Sequence, residues 1–352
     1  MAALRWGVLS TASIGKRLVN PAIQASSNGE LVAVASRDAE RARAFAAGTG
    51  IPRHHGSYEA LLGDPEVDAV YIPLPNGMHR EWSIRAAEHG KHVLCEKPLA
   101  LDAAECLEME AAAQANGVLL MEAFMYRFHP RIGRLVELVR SGAVGELRGI
   151  RSAFTFPLTR PHDIRWSSEL GGGALLDVGC YCVNVSRTVA GAEPVEAAAW
   201  AEWTEGGVDA RLAGMLRFDD GLVAQFDCAL TMERRELCEV AGSDGVLTVE
   251  DAFLPGTGPT AILTMRGAAE PAVETVDGAD EYVLMVEHFA DCVLNGTPLR
   301  YPVTEAAANM RVIEALYRSA REGGTTRRIG GSEDTDAAHR PASIDMATRA
   351  DR

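Results

Sequence analysis

The sequence predicts an α/β protein: an N-terminal doubly wound parallel sheet of the Rossmann type, then an α+β domain containing an open, mostly antiparallel sheet. Three observations predict it. Short aliphatic runs alternate with alanine-rich stretches of helical length as far as about residue 123. A turn of small residues, Ser10-Thr11-Ala12-Ser13-Ile14-Gly15, follows the first run. Beyond residue 123, strand-like runs succeed one another at hairpin spacing and helices are set toward the end.

In the first region the runs at 4–9, 31–35, 69–72, 92–95 and 118–121 read as strands, each followed by a helix-length segment. That alternation calls for parallel strands joined by crossover helices on both faces. Such sheets bind ligands beyond the carboxyl ends of their strands, so the chemistry is expected in those loops. The second region opens with a helix over 129–141 and continues with strands at 151–156, 195–202, 210–218, 222–230, 236–241, 246–250 and 261–265. Asp219-Asp220-Gly221 and Gly242-Ser243-Asp244-Gly245 supply hairpin turns between them. Helices over 281–294 and 304–321 close the region. The expected domains are 1–123 for a dinucleotide and 124–329 for substrate and oligomerisation, with 330–352 a polar, aperiodic tail expected to be disordered.

The chain has 352 residues, 47% hydrophobic and 24% charged, which suits a folded globular protein with a large core. A formal charge of −15 repels a phosphate backbone, so no nucleic-acid partner is expected. No run approaches the roughly 18 to 20 apolar residues of a membrane span, and no secretory pattern follows Met1, so the expected address is cytoplasmic. Seven cysteines without a Cys-x-x-Cys read as reduced, mostly buried thiols. Nine histidines without a His-x-x-x-His, with His54-His55 placed in a loop away from acids, give no ligand set, so no metal is expected.

Laid on the G-x-G-x-x-G fingerprint, the first loop carries Ser10, Ala12 and Gly15. Small side chains at Ser10, Thr11 and Ala12, in the turn that runs on through Ile14, let backbone N–H groups and a helix N-terminus approach a pyrophosphate; a tight strand-to-helix turn without a ligand needs the same residues. At the tip of the second strand stand Ser36, Arg37 and, further on, Arg41, in place of the acid that would take a ribose 2′-hydroxyl, with Asp38 beside them able to neutralise part of the charge. A hydroxyl with guanidiniums suits a 2′-phosphate, so NADP is expected, with NAD possible. Two more loops fall on the same edge: Pro73-Leu74-Pro75-Asn76-Gly77-Met78-His79, and Cys95-Glu96-Lys97-Pro98, where Lys97 stands as the strand stops. In the second region Gly171-Gly172-Gly173 precedes Asp177 and Tyr181. In a helix these two are i and i+4 on one face, and a lysine beside them would favour phenolate and lower the Tyr181 pKa for proton transfer.

The order of the first loop, Cys95-Glu96-Lys97-Pro98, the run from Glu122 to Pro130, Ile164-Arg165-Trp166 and Gly171-Gly172-Gly173 with Asp177-x-x-x-Tyr181 resembles the Gfo/Idh/MocA oxidoreductases over residues 4–329. Tyrosine at 181 is most similar to the subgroup of glucose-fructose oxidoreductase, dimeric dihydrodiol dehydrogenase and NADP-dependent D-xylose dehydrogenase. The resemblance implies hydride transfer between NADP and a sugar, cyclic polyol or trans-dihydrodiol, with Lys97, Asp177 and Tyr181 catalytic. It implies that Leu74, Pro75, Asn76, His79, Glu96 and Lys97 line the cofactor and that Arg165, Trp166 and Tyr282 close over it. It also implies a homodimer or homotetramer built through the C-terminal sheet. Two other functions occur in the family: glycoside cleavage through transient oxidation, and dinucleotide sensing without catalysis.

Overall fold

Six short strands rich in Val, Ala, Leu and Ile form the first sheet: β1 (Leu4–Leu9), β2 (Gly29–Ala35), β3 (Arg53–His55), β4 (Ala69–Ile72), β5 (His92–Glu96) and β6 (Leu120–Ala123). The computed structural model describes residues 3–267 and 270–330; the tail expected to be disordered lies, from 331 onward, outside the described residues. All six strands run parallel, in the order β3-β2-β1-β4-β5-β6. Five helices make the crossovers: α1 (Asn20–Ala25), α2 (Ala39–Thr49), α3 (Tyr58–Leu62), α4 (His79–Glu88) and α5 (Ala103–Ala115). Because helices cover both faces, β4 is buried at every residue instead of alternating in and out. The chain leaves β1 toward β2 on one side and returns to β4 on the other, so the loops at their carboxyl ends diverge and open a crevice.

Strand β3 corrects the sequence reading, which left His54-His55 in a loop away from acids. His55 Nε2 lies 3.1 Å from Asp64 Oδ2, because the single turn of α3 folds the chain back and returns that carboxylate to the strand. Three polar residues gave no strand pattern. β3 exists because an edge position lets main-chain pairing with β2 suffice.

The second sheet contains β7 (Leu147–Pro157), β8 (Glu196–Trp203), β9 (Asp209–Arg217), β10 (Val223–Ala229), β11 (Thr231–Gly242), β12 (Val246–Glu250), β13 (Thr260–Met265), β14 (Ala272–Val276) and β15 (Arg327–Arg328). Its order is β14-β13-β12-β11-β7-β10-β9-β8-β15, antiparallel except where β10 lies parallel to β7. The remaining helices are α6 (Pro130–Arg140), α7 (Cys180–Ala190), α8 (Glu281–Asn295) and α9 (Val303–Arg321). α7 and α9 lie against one face: Tyr181 of α7 meets Phe154 of β7 with ring centroids 5.2 Å apart, and Ser319 of α9 accepts the Ala199 N–H of β8. α8 returns to the first sheet, where Phe289 packs on Trp6 at 5.5 Å, and Glu314 of α9 accepts the first-turn N–H of Ala103 in α5. The two sheets are thus tied by helices of the second region, which fixes the facing loops against each other.

Candidate active site

The backbone turns out of β1 at Ser10, whose φ of +149° lies where glycine is favoured. The serine hydroxyl offsets that cost locally, accepting from the Ala12 N–H and donating to Pro73 O, both at 3.1 Å. The same contacts tie the first loop to the loop after β4. Thr11, Ala12 and Ile14 are partly exposed along it, and Gly15 begins a wide π turn that leads into α1. At the tip of β2, Ser36 is buried and its N–H donates to His55 O. Arg37 and Arg41 are exposed beside it. Asp38 turns its carboxylate to its own helix, accepting the Arg41 N–H at 2.9 Å as N-cap of α2. Burial raises the Tyr58 phenol pKa, and the Arg37 and Arg41 guanidiniums nearby oppose that rise, so both cations lie close to Tyr58 beside the tip of β2.

His79, expected to line the cofactor, is fully buried. Its Nδ1 lies 2.9 Å from Pro98 O and its Nε2 2.8 Å from Leu74 O, so it fastens the loop after β4 to the segment bearing Lys97 instead of facing the crevice. Leu74 is buried in the same loop, while Pro75 and Asn76 are partly exposed. Asn76 Nδ2 donates to Gly171 O at 2.8 Å and joins the two regions. Glu96 accepts from the Tyr71 hydroxyl; burial raises its carboxyl pKa against the lowering effects of that bond and of Lys97. Tyr282, at the start of α8, is half-buried and close enough to Glu96 for that charge to raise its phenol pKa further beyond the effect of burial.

At the centre Lys97 Nζ donates to Asp177 O at 2.6 Å and to Asp177 Oδ1 at 3.4 Å. Arg165 Nε donates to Asp177 Oδ2 at 2.6 Å and its Nη1 to Asp163 Oδ1 at 3.1 Å. Burial works against the Lys97 ammonium, but Asp177, Cys180 and Glu96 together more than offset it and the pKa lies above the ordinary lysine value. Burial likewise works against the Asp177 carboxylate, and Lys97 and Arg165 together hold its pKa below the usual range. Trp166 anchors the covering segment by donating from Nε1 to Arg160 O at 3.1 Å.

Tyr181 departs from the expectation in two ways. Leu175–Gly179 is a π turn and α7 begins only at Cys180, so Asp177 and Tyr181 are not one regular α-helical turn apart. Lys97 Nζ sits 4.9 Å from the centroid of the Tyr181 ring and bonds Asp177, while the hydroxyl faces Met125 Sδ at 3.5 Å. Phe124, Tyr126, Phe154 and Phe253 surround the ring. Burial therefore raises the phenol pKa well above 10, with Tyr282, Cys180, Glu96 and Asp177 adding to it. The ammonium stabilises a neighbouring carboxylate more strongly than a distant hydroxyl, and the phenol keeps its proton.

The glycine run has a steric cause. A Cβ at Gly171 would come within 2.4 Å of Leu101, one at Gly172 within 2.3 Å of Arg165 O, and one at Gly173 within 2.1 Å of Asp209 Oδ1. Sequence reasoning missed Asp209, which no motif marks, and also Glu122, whose pKa burial raises to about 7 and which accepts the Leu99 N–H just beyond Lys97-Pro98. Its place in the run Glu122-Ala123-Phe124, at the end of a strand, was the available signal. All seven cysteines are free and buried, and among the described residues no group of His, Cys, Asp and Glu could hold a metal ion.

A lysine, a carboxylate and a tyrosine thus meet at the carboxyl edge of a parallel, helix-covered sheet. The family model described as the oxidoreductase family with NAD-binding Rossmann fold, Gfo/Idh/MocA, matches residues 4–124, and the C-terminal domain model of the same family matches residues 132–248. D-xylose 1-dehydrogenase (NADP(+)) 2 of Haloferax volcanii is 42% identical over 91% of this chain and 98% of its own length. Trans-1,2-dihydrobenzene-1,2-diol dehydrogenase of Mus musculus is 32% identical over 92% and 98%. The crystal structure of a 3-ketoreductase from Actinomadura kijaniata in complex with NADP and TDP-benzene superposes with a TM-score of 0.86 at 31% identity, over 90% of this chain and 98% of that one. The chain belongs to the Gfo/Idh/MocA oxidoreductase family. It is an enzyme, an NAD(P)-dependent dehydrogenase or reductase. Among the described residues no helix is long and apolar enough to cross a membrane.

Proposed function

We propose that the enzyme transfers a hydride reversibly between a hydroxyl-bearing carbon of a sugar, cyclic polyol or trans-dihydrodiol and NADP, with NAD the weaker cofactor, and that it works as a homodimer or homotetramer. The observation that carries the reading is the convergence of Lys97, Asp177 and Tyr181, from two regions of the chain, at the carboxyl end of β5. Two solved variants of the Actinomadura 3-ketoreductase replace a lysine and a tyrosine that stand 84 positions apart in that protein, the same separation as Lys97 and Tyr181 here.

The residues fit a dinucleotide. Ser10, Thr11, Ala12 and Ile14 keep the first loop low enough for a pyrophosphate to reach backbone N–H groups, and Ser36, Arg37 and Arg41 offer donors to a 2′-phosphate. Leu74, Pro75, Asn76, Glu96 and Tyr282 border the other end, Arg165 and Trp166 close over it, and His79 holds the loops in register. Bound there, nicotinamide supplies the hydride acceptor or donor. Tyr181 gives its proton to the substrate oxygen in reduction and removes the hydroxyl proton in oxidation, leaving a weak contact with the Met125 thioether to do so. Lys97, kept charged by Asp177, holds and polarises that oxygen. Asp177 fixes Lys97 and Arg165 together.

Turnover of a panel of aldoses, inositols and diols, followed by NADPH absorbance, identifies the substrate. Replacement of Tyr181 by Phe is expected to lower kcat by roughly 10²- to 10⁴-fold with dinucleotide affinity unchanged. Because burial holds the Tyr181 pKa high, the oxidation rate is expected to keep rising with pH up to about 10 without a plateau, while reduction stays flat through neutral pH. A Tyr181→Phe variant retaining most of its kcat overturns the assignment.

A further inference from the structure

The helix that carries Asp177 and Tyr181 has no cap of its own. Ala174, at its N-cap position, makes no side-chain hydrogen bond, and the residues before it are the three glycines. The missing acceptor comes from another element. Asp209, the first residue of β9, is fully buried and places Oδ2 2.7 Å from the Leu175 N–H. Its second oxygen, Oδ1, accepts the Tyr317 hydroxyl of α9 at 2.8 Å. Both partners donate, so an ionised, acceptor-only carboxylate satisfies the geometry fully. Gly173 belongs to the same contact: its φ is +119°, a Cβ there would strike Asp209 Oδ1, its N–H donates to Arg165 O, and its carbonyl accepts the Asp177 N–H at 3.0 Å. The carboxylate therefore holds the first residue of the π turn whose third residue is Asp177.

We propose that Asp209, itself held by Tyr317, is a positioning residue for hydride transfer: it seats the helix start so that Asp177 meets Lys97 and Tyr181 stands beneath it. The proposal rests on the reading of Lys97, Asp177 and Tyr181 given above. Asp209 touches neither the crevice nor the three central side chains; it acts through the Leu175 N–H. The other groups facing it are Tyr317 and Arg321 from α9 and Cys228 from β10, and Arg321 lies 5.5 Å over the Tyr317 ring. Burial raises its pKa to about 6, and the bonds from Leu175 and Tyr317 hold it from rising further. As pH falls through that value the carboxyl gains a proton, loses one of its two acceptor roles and loosens the helix start. An acid limb in kcat is the consequence.

The test is steady-state kinetics across pH 5 to 9 with NADPH binding measured separately by fluorescence. Asp209→Asn keeps the shape and one acceptor but loses the charge, so kcat is expected to fall roughly 5- to 20-fold with NADPH Kd unchanged, and the acid limb near pH 6 to disappear. Tyr317→Phe removes the bond that holds the Asp209 pKa down. Its acid limb is expected to move to higher pH, with a smaller loss of kcat and again no change in Kd. If Asp209→Asn fails to fold, the Tyr317→Phe profile decides alone. Wild-type kcat and an unmoved acid limb in the variants overturn the proposal, as does a loss confined to NADPH affinity. Tyr181→Phe is run alongside: retention of its kcat would overturn the reading of the central residues, whereas its loss with unaltered Asp209 and Tyr317 variants overturns only the role of Asp209.

Discussion

Lys97 has two acceptors on one residue, the carbonyl and the carboxylate of Asp177, and this explains why it does not reach the Tyr181 hydroxyl. A desolvated ion pair at 3.4 Å is worth more than a bond to a neutral phenol, so the ammonium follows the carboxylate. The site read from sequence contained the right neighbours in this respect: Glu96-Lys97-Pro98 ends a strand and Asp177 opens a helix, and both positions carry sequence signals. The Tyr181 pKa was not legible, because it depends on Phe124, Met125, Phe154 and Phe253 closing around the ring, and these residues are far apart along the chain. At the tip of β2 Asp38 turns its carboxylate to its own helix cap, while the Arg37 and Arg41 side chains are exposed. A guanidinium–phosphate bond contributes on the order of 1.5 to 3 kcal/mol, so Arg37→Ala is expected to weaken NADP roughly 10- to 100-fold and leave NAD nearly unchanged. Isothermal titration with both dinucleotides checks this, and equal losses for the two would remove the basis for an NADP preference.

At the scale of elements, long periodic segments were the legible ones. α9 and α6 fall within a residue or two of the positions read from sequence, as do β1, β4 and β12, because hydrophobic spacing and flanking turn residues agree there. β6 begins two residues later than expected because Gly117 and Val118 still bond back to α5, their N–H groups donating to Gln114 O and Ala113 O. β14 and β15 were missed: each is an edge strand held on one side only, and β15 has just two residues. The π turn was missed because nothing in Leu175-Leu176-Asp177-Val178-Gly179 distinguishes it from α-helix. It arises where the chain must enter α7 from a glycine run wedged against Leu101, Arg165 and Asp209. That wedge makes Gly173→Ala informative. The methyl group would meet a buried carboxylate oxygen at 2.1 Å, and φ of +119° is strained for alanine, so both the fold and the helix start suffer. A loss on the order of 3 kcal/mol or more in stability is expected by denaturant unfolding, with kcat falling in whatever fraction stays folded. A variant as stable as the wild type would mean that the loop has room the packing does not show.

At the scale of the whole molecule, the second sheet is covered on one face by α7 and α9, while its other face carries apolar side chains with no cover among the described residues of the single chain. The strand register shows that these side chains share that face: Ala198 pairs with Met215, Met215 with Gln225, Gln225 with Arg151, Arg151 with Glu239, Glu239 with Thr248, Thr248 with Leu263 and Leu263 with Val273. Trp200, two residues along from Ala198, projects the same way. Trp200, 53% exposed, and Met215, 43% exposed, stand on adjacent strands toward one edge, and Val273, 62% exposed, stands on the opposite edge strand. A second copy of the same face supplies matching apolar area with Arg151 and Glu239 set between, and a two-fold interface of this kind buries on the order of 1,200 to 2,000 Å² in total. The expected state is therefore a homodimer, or a tetramer if a second patch joins two dimers, measured by light scattering on a sizing column at micromolar concentration. Trp200→Glu places a charge in the apolar end of the face formed by β8 and β9 and is expected to give monomers. The central lysine, carboxylate and tyrosine lie on the helix-covered side, so kcat per chain should persist in that variant. A wild-type protein that elutes as a monomer would overturn the homodimer, and a Trp200→Glu variant that still dimerises would place the interface elsewhere.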